Sequence, residues 1–87
     1  MSCRLLIDYA VIELLESLPR NDQRLLRSRF LAIQNDPQKY SDYVESGGAS
    51  HRVDINIQGK FAIKYWQDHA DQHLKILDIT LADRKDY

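Results

Sequence analysis

The stretch His51-Arg52-Val53-Asp54-Ile55-Asn56-Ile57-Gln58-Gly59-Lys60-Phe61-Ala62-Ile63-Lys64-Tyr65-Trp66 decides the fold. Val53, Ile55 and Ile57 alternate with Arg52, Asp54 and Asn56, the period-two pattern of a strand buried on one face. Gln58-Gly59-Lys60 reads as a turn, Phe61 to Gln67 as a second strand, His69 to Gln72 as another turn, and Leu74 to Leu81 as a third strand. Cross-strand partners share a face. Val53, Ile55 and Ile57 are therefore expected opposite Tyr65, Ile63 and Phe61, and these in turn opposite Leu77, Ile79 and Leu81. On the reverse face the same register sets Lys64 between Asp54 and Asp78, Trp66 between Arg52 and Ile76, and Ala62 between Asn56 and Thr80.

Upstream the period changes to that of a helix. Between Tyr9 and Leu18 the residues Val11, Leu14, Leu15 and Leu18 fall at i, i+3, i+4 and i+7, one helical face, with Glu13 and Glu16 outside it. Asp8 suits the N-cap, because its carboxylate can accept from an orphan N–H of the first turn. Pro19 ends the helix, since the residue before a proline is pushed out of the helical region. A second helix is expected from about Asp22 to Asn35, capped by Asn21 and stopped by Asp36-Pro37, with Leu26, Phe30 and Ile33 as its apolar stripe. The short turn between the helices predicts an antiparallel hairpin. Gln38 to Ser50 lacks periodicity, contains Gly47-Gly48 and reads as a loop; Cys3 to Ile7 is a candidate for a short first strand. The fold class is α+β: an N-terminal helix hairpin on one face of a C-terminal antiparallel sheet of three strands, with a possible fourth, leaving the mixed polar face open.

Composition sets the outer limits. Eighty-seven residues predict one domain over 1–87, since domains run ~50–250 residues. So short a chain gains stability when a partner adds buried surface. The lone cysteine, Cys3, can form no internal disulfide, which favours a reducing compartment. No apolar run approaches the ~20 residues of a membrane span, and the first residues lack a signal peptide's apolar core, so a cytoplasmic protein is expected. A net charge of −1 excludes a globally basic nucleic-acid binder. Cations do cluster locally: Arg20, Arg24, Arg27 and Arg29 stand against one acid, Asp22, between Ser17 and Asn35.

Several motifs occur in a telling order. A short strand precedes a helix ending in Leu18-Pro19 and a basic helix ending in Asn35-Asp36-Pro37. A glycine-containing loop leads to the Arg52-Val53 strand start, then to the Gly59 turn with its aromatic-rich strand, and finally to Asp83-Arg84-Lys85-Asp86-Tyr87. Over nearly the whole chain this resembles the RelE/ParE superfamily of toxin–antitoxin toxins. The resemblance implies a type II toxin with an antitoxin protein as partner. RelE-like members are ribosome-dependent mRNA endonucleases, ParE-like members poison DNA gyrase, and others show no toxicity. RelE-like cleavage needs activation of a ribose 2′-hydroxyl, charge stabilisation at the phosphorane and protonation of the leaving oxygen, with neither metal nor cofactor.

Carried onto this chain, the family's C-terminal arginine falls on Arg84, and Tyr87 stands for its terminal tyrosine. The arginine of its Gly-Tyr-Arg strand motif falls on Ala62, which removes a phosphate-binding cation. Lys60 and Lys64, two residues to either side, are the substitutes, although lysine lacks arginine's bidentate fork. Lys60, Lys64, Arg84 and Tyr87 are thus the catalytic candidates, and Arg20, Arg24, Arg27 and Arg52 the nucleic-acid-binding ones. The structural alternatives are a cross-strand salt network for Lys64, a cation–π pair with Trp66 for Arg52 and a solvated helix face for the arginine stripe. His51, His69 and His73 read as surface residues. Three functions stay open: RelE-like mRNA cleavage on the ribosome, gyrase inhibition, and a non-toxic homologue acting through protein contacts. Each implies an antitoxin segment covering apolar surface such as Trp66, Ile76 and the helix hairpin.

Overall fold

The computed structural model describes residues 4–47 and 51–81. Seven elements follow one another: β1 Arg4–Ile7, α1 Tyr9–Glu16, α2 Arg20–Asn35, β2 Tyr43–Gly47, β3 His51–Gln58, β4 Phe61–Asp68 and β5 His73–Leu81. The strands form one sheet in the order β1-β5-β4-β3-β2, with β1 parallel to β5 and every other pair antiparallel. The α+β class and the helix hairpin on one face stand as expected from sequence, while the strand count rises to five. The added strand β2 lies in the segment that reads as a loop. It is an edge strand, and Tyr43 and Val44 are 60% and 53% exposed, so neither face imposed a hydrophobic alternation on it.

Local chemistry explains the helix boundaries. Asp8 caps α1, its Oδ1 accepting from the Ala10 N–H at 3.0 Å. α1 ends at Glu16, short of Leu18, and the Ser17 hydroxyl closes it by donating to the Leu14 carbonyl at 2.6 Å. α2 starts at Arg20 with Pro19 as its N-cap and no side-chain cap bond. Asn21 is therefore inside the first turn and does not cap it. Proline's fixed φ is already compatible with a helix start, which brings the helix forward. Leu26, Phe30 and Ile33 of α2 pack with Val11 and Leu15 of α1 onto Phe61, Ile63, Tyr65, Leu74, Ile76 and Ile79. Leu14 and Leu25 lie at the rim, 38% and 42% exposed.

The register corrects the sequence reading in two places. Between β3 and β4 the pairs are Asp54–Tyr65, Ile55–Lys64, Asn56–Ile63, Ile57–Ala62 and Gln58–Phe61, one residue off the expected set. A one-residue slip exchanges the faces of a strand. Asp54 and Asn56 consequently face the helix side, 5% and 4% exposed, while Val53, Ile55 and Ile57 lie on the open face. The cause is the roof above β3: the chain between α2 and β2 covers it and brings polar partners. Asn56 Nδ2 donates to the Tyr40 carbonyl at 2.9 Å and to Asp42 Oδ2 at 3.1 Å. Asp54 Oδ1 accepts from the Ser41 hydroxyl at 2.7 Å. The Tyr65 hydroxyl fixes the same segment from below, donating to the Pro37 carbonyl at 2.6 Å.

Between β4 and β5 the pairs Phe61–Leu81, Ile63–Ile79 and Lys64–Asp78 agree with expectation, but beyond a bulge Tyr65 meets Ile76 and Trp66 meets Lys75. Leu77 is the extra residue, so it is 36% exposed and Ile76 takes its core position at 0%.

Burial pushes the Tyr65 phenol well above the ordinary tyrosine range, and the nearby Asp54 carboxylate adds to the rise. A folded-state pKa above the unfolded value of ~10 gives stability that is fully present below that value and lost as pH rises towards the folded one. Unfolding titrations should therefore show stability falling above about pH 10, with a shallower fall in Tyr65→Phe. At neutral pH that variant should lose about 1–2 kcal/mol, because the Pro37 carbonyl loses its donor. An equal alkaline slope in both proteins would contradict this assignment.

Candidate functional site

The helix-free face of the sheet is the surface on which the chain can present chemistry. Pairing places Tyr43 and Glu45 of β2, Val53, Ile55 and Ile57 of β3, and Ala62, Lys64 and Trp66 of β4 on it, followed by Lys75 and Asp78 of β5. Lys64 is at its centre, beside Ile55 and Asp78. Asp54 is on the opposite face, so only one of the two carboxylates expected beside Lys64 is a neighbour. A different acid takes its place: Glu45 Oε1 approaches Lys64 Nζ to 3.7 Å. With the two side chains 33% and 54% exposed, such a pair contributes about 0–1 kcal/mol. So weak a pair leaves the Lys64 ammonium able to exchange partners.

The other candidates are dispersed. Lys60 pairs with Asp22 of α2 at 3.5 Å, and its ammonium is 5.5 Å from the Phe61 ring centroid. Both contacts draw it to the helix layer, away from Lys64. Arg52 lies with Asp54 on the helix side of β3, its Nη2 3.2 Å from Asp54 Oδ1. The expected Arg52–Trp66 pair is replaced by Lys75, whose Nζ is 4.9 Å from the Trp66 ring centroid. Arg20, Arg24 and Arg27 are exposed on α2 and, with Gln23, line a shallow groove of about 390 Å³. Arg29 departs from them and stacks over the Tyr40 ring at 4.8 Å. Arg84 and Tyr87, like Cys3 and the His51 side chain, lie outside the described residues. Ile76, expected as exposed apolar surface, is buried and offers nothing to a partner.

Charge on the described part of the open face is balanced: Arg4, Lys64 and Lys75 stand against Glu45, Asp68 and Asp78. Ala62, at the position of the missing cation, is 9% exposed between Ile57 and Thr80. Glu45 is the residue that sequence reasoning missed. Its signal was the alternation Tyr43-Val44-Glu45, which the exposure of both faces of β2 obscured. At the β4–β5 turn Asp68, Asp71 and His73 bring possible ligand atoms within 4.8 Å of one another. Asp68 Oδ1 there already accepts from the Asp71 N–H at 3.2 Å.

Neither a family model nor a curated protein matches the sequence. Solved structures do match the architecture. The archaeal RelE–RelB complex from Pyrococcus horikoshii OT3 superposes with a TM-score of 0.81 at 22% identity, covering 98% of this chain and 100% of that one. The chain has the RelE fold. The toxin–antitoxin complex RelBE2 from Mycobacterium tuberculosis gives 0.79 at 11% identity, covering 93% of this chain and 99% of that one. The isolated E. coli RelE toxin gives 0.75 at 10%, covering 97% and 88%. The likeness in fold therefore extends over nearly the whole chain. No helix among the described residues is long and apolar enough to cross a membrane.

Within the RelE fold, the open face sets Lys64 beside Asp78 of β5 and within reach of Glu45 on the β2 edge, 3.7 Å away, with an aromatic surface, Trp66, one step along β4. Chemically Lys64 and Glu45 can hold an anionic oxygen and accept a proton beside it.

Proposed function

We propose that this chain is the toxin of a toxin–antitoxin pair, and that it acts in the cytoplasm by cutting mRNA on the ribosome. The observation that carries the proposal is the full-length RelE fold, shared with proteins solved as RelE toxins and as complexes with RelB. In this reading Lys64 stabilises the charge that gathers on the phosphorane. Glu45, 3.7 Å away on the same face, takes the 2′-hydroxyl proton as general base. Arg84 adds the bidentate phosphate contact that Ala62 cannot make, and Tyr87 lies close to it in sequence. An antitoxin protein is the partner, shielding the half-buried Trp66 side of the open face.

The test has two layers. Induced expression should arrest growth, and purified protein added to programmed ribosomes should cut the message. Lys64→Ala and Arg84→Ala should each lower the cleavage rate by at least about tenfold, the scale expected on removing a charge-stabilising donor. Glu45→Gln should lower the rate while leaving ribosome binding intact. Absence of cleavage by the wild type would reject the nuclease, and cleavage equal in wild type and Arg84→Ala would reject the role given to Arg84.

One observation favours a second reading. Ala62 and the balanced charge of the open face suit a toxin that binds a protein target, such as DNA gyrase, without cutting. Growth arrest with intact mRNA and inhibited supercoiling would establish that alternative; absence of growth arrest would reject both.

A further inference from the structure

The β4–β5 turn carries a donor set that the chemistry around Lys64 leaves unused. Its sequence is Asp68-His69-Ala70-Asp71-Gln72-His73. Asp68 ends β4, His73 begins β5, and the two are cross-strand partners. Their Cβ atoms therefore lie ~4.5–5.5 Å apart on one face of the sheet. Asp71 is tied to them, its N–H donating to Asp68 Oδ1 at 3.2 Å. The Arg4 N–H donates to the Gln72 carbonyl at 2.9 Å and pins the turn to β1. One imidazole nitrogen and two carboxylate oxygens are thereby brought within 4.8 Å of one another.

Two features point to a cation at this place. Among the described residues no ion pair neutralises Asp68 or Asp71, whereas Asp22, Glu45 and Asp54 each have a basic partner. Arg4, the cross-strand neighbour of His73, is exposed and forms no ion pair with either carboxylate. The second feature is the imidazole, which selects the kind of ion. Mg²⁺ and Ca²⁺ prefer shells made wholly of oxygen, while imidazole beside carboxylates suits Zn²⁺ and its neighbours in the first transition row. Tetrahedral zinc, with bonds of ~2.0–2.2 Å, needs ligand atoms roughly 3.4 Å apart. Side-chain rotation closes that gap, since Asp71 is exposed and Asp68 and His73 are half-buried.

We propose that Asp68, Asp71 and His73 form a zinc site that clips the β4–β5 turn, with water completing the tetrahedron. Lys64, Trp66 and Asp68 alternate along one face of β4, which sets the site ~13 Å from Lys64 at ~3.3 Å per residue. The ion is structural, and its binding does not depend on what Lys64 does. It has an electrostatic consequence all the same. With Asp68 neutralised, Arg4, Lys64 and Lys75 are opposed on the open face by Glu45 and Asp78 alone, so the balanced face turns positive.

The chain carries its own reporter. Trp66 is its one tryptophan and lies two residues from Asp68 on the same face, ~7 Å along β4. Co²⁺ added to the untagged, EDTA-stripped protein should quench Trp66 fluorescence saturably, and Zn²⁺, which does not quench, should restore it by displacement. Asp68→Asn, Asp71→Asn and His73→Gln should each weaken Co²⁺ binding by at least about tenfold, the lower bound set by outer-shell changes in known sites. Asp68→Asn keeps the acceptor for the Asp71 N–H, and Asp71 is exposed, so circular dichroism of the metal-free proteins should be unchanged. Glu13→Gln, an exposed carboxylate on α1, should leave affinity within twofold. Saturating Zn²⁺ should raise the melting temperature of the wild type by several degrees by mass action and leave Asp68→Asn with His73→Gln unmoved. Absence of saturable quenching, or quenching that persists in that double variant, overturns the proposal. Displacement of Co²⁺ by Ca²⁺ or Mg²⁺ as readily as by Zn²⁺ overturns the assignment of the ion.

Discussion

Phe30→Ala is expected to remove about 3–5 kcal/mol of stability, the range for deleting a buried aromatic ring and leaving a cavity. Phe30 is 2% exposed and sits between Leu26 and Ile33, both at 0%, where α2 meets the sheet. Because domains of this size are stable by only ~5–15 kcal/mol, the variant should be close to unfolding at physiological temperature. Thermal melts should show a fall of about 15 °C or more. Leu31→Ala, one residue along the helix but 60% exposed, should stay within about 0.5 kcal/mol. A comparable loss from both would mean that α2 does not pack through the Leu26–Phe30–Ile33 stripe.

Asp54→Ala should cost about 2 kcal/mol. The carboxylate is 5% exposed and accepts from the Ser41 hydroxyl at 2.7 Å and from Arg52 Nε at 3.3 Å. Its removal forfeits a hydrogen bond to a charged acceptor, worth about 1.5–3 kcal/mol, and leaves the Ser41 hydroxyl only the longer bond to the Tyr43 carbonyl at 3.3 Å. Arg52 is mostly solvated and contributes little. Asp54→Asn keeps an acceptor for Ser41 and should cost about half as much. Equilibrium urea unfolding measures both. The experiment also tests the strand register: were Asp54 on the open face beside Lys64, the alanine variant would be nearly neutral.

These two residues mark how far the sequence could be read. The stripe through Phe30 was legible because a helix that roofs a sheet must repeat its apolar residues every three to four positions. The strand through Asp54 was legible as a strand, and its facing was not. Alternation reports that one side of β3 is more apolar than the other; it does not report which side the helices cover. Here the helix side is roofed by the loop around Tyr40 to Asp42, which offers carbonyls, a hydroxyl and a carboxylate, so the polar side of the strand went inwards. The bulge at Leu77 was hidden for a related reason: Ile76 and Leu77 are interchangeable in hydropathy, and only the geometry of the ladder chooses between them.

The candidate site was legible in part. Lys64 was placed on the open face correctly, but with the wrong neighbours, since the register error moved Asp54 beside it and the reading of β2 as a loop removed Glu45. Lys60 and Arg52 follow ion-pair partners that are remote in sequence or set by strand facing, Asp22 and Asp54. Periodicity carries no information about such pairs.

The parallel pairing of β1 with β5 has a consequence for synthesis. Arg4 pairs with His73, and Ile7 with Ile76, so the first strand made is completed by the last. At ~5–20 residues per second, the nascent chain waits for several seconds with Leu5, Ile7 and the inner faces of both helices uncovered. The five-stranded sheet cannot close until β5 has left the ribosome. Any property that depends on the finished sheet is therefore delayed until β5 has been made and can pair with β1.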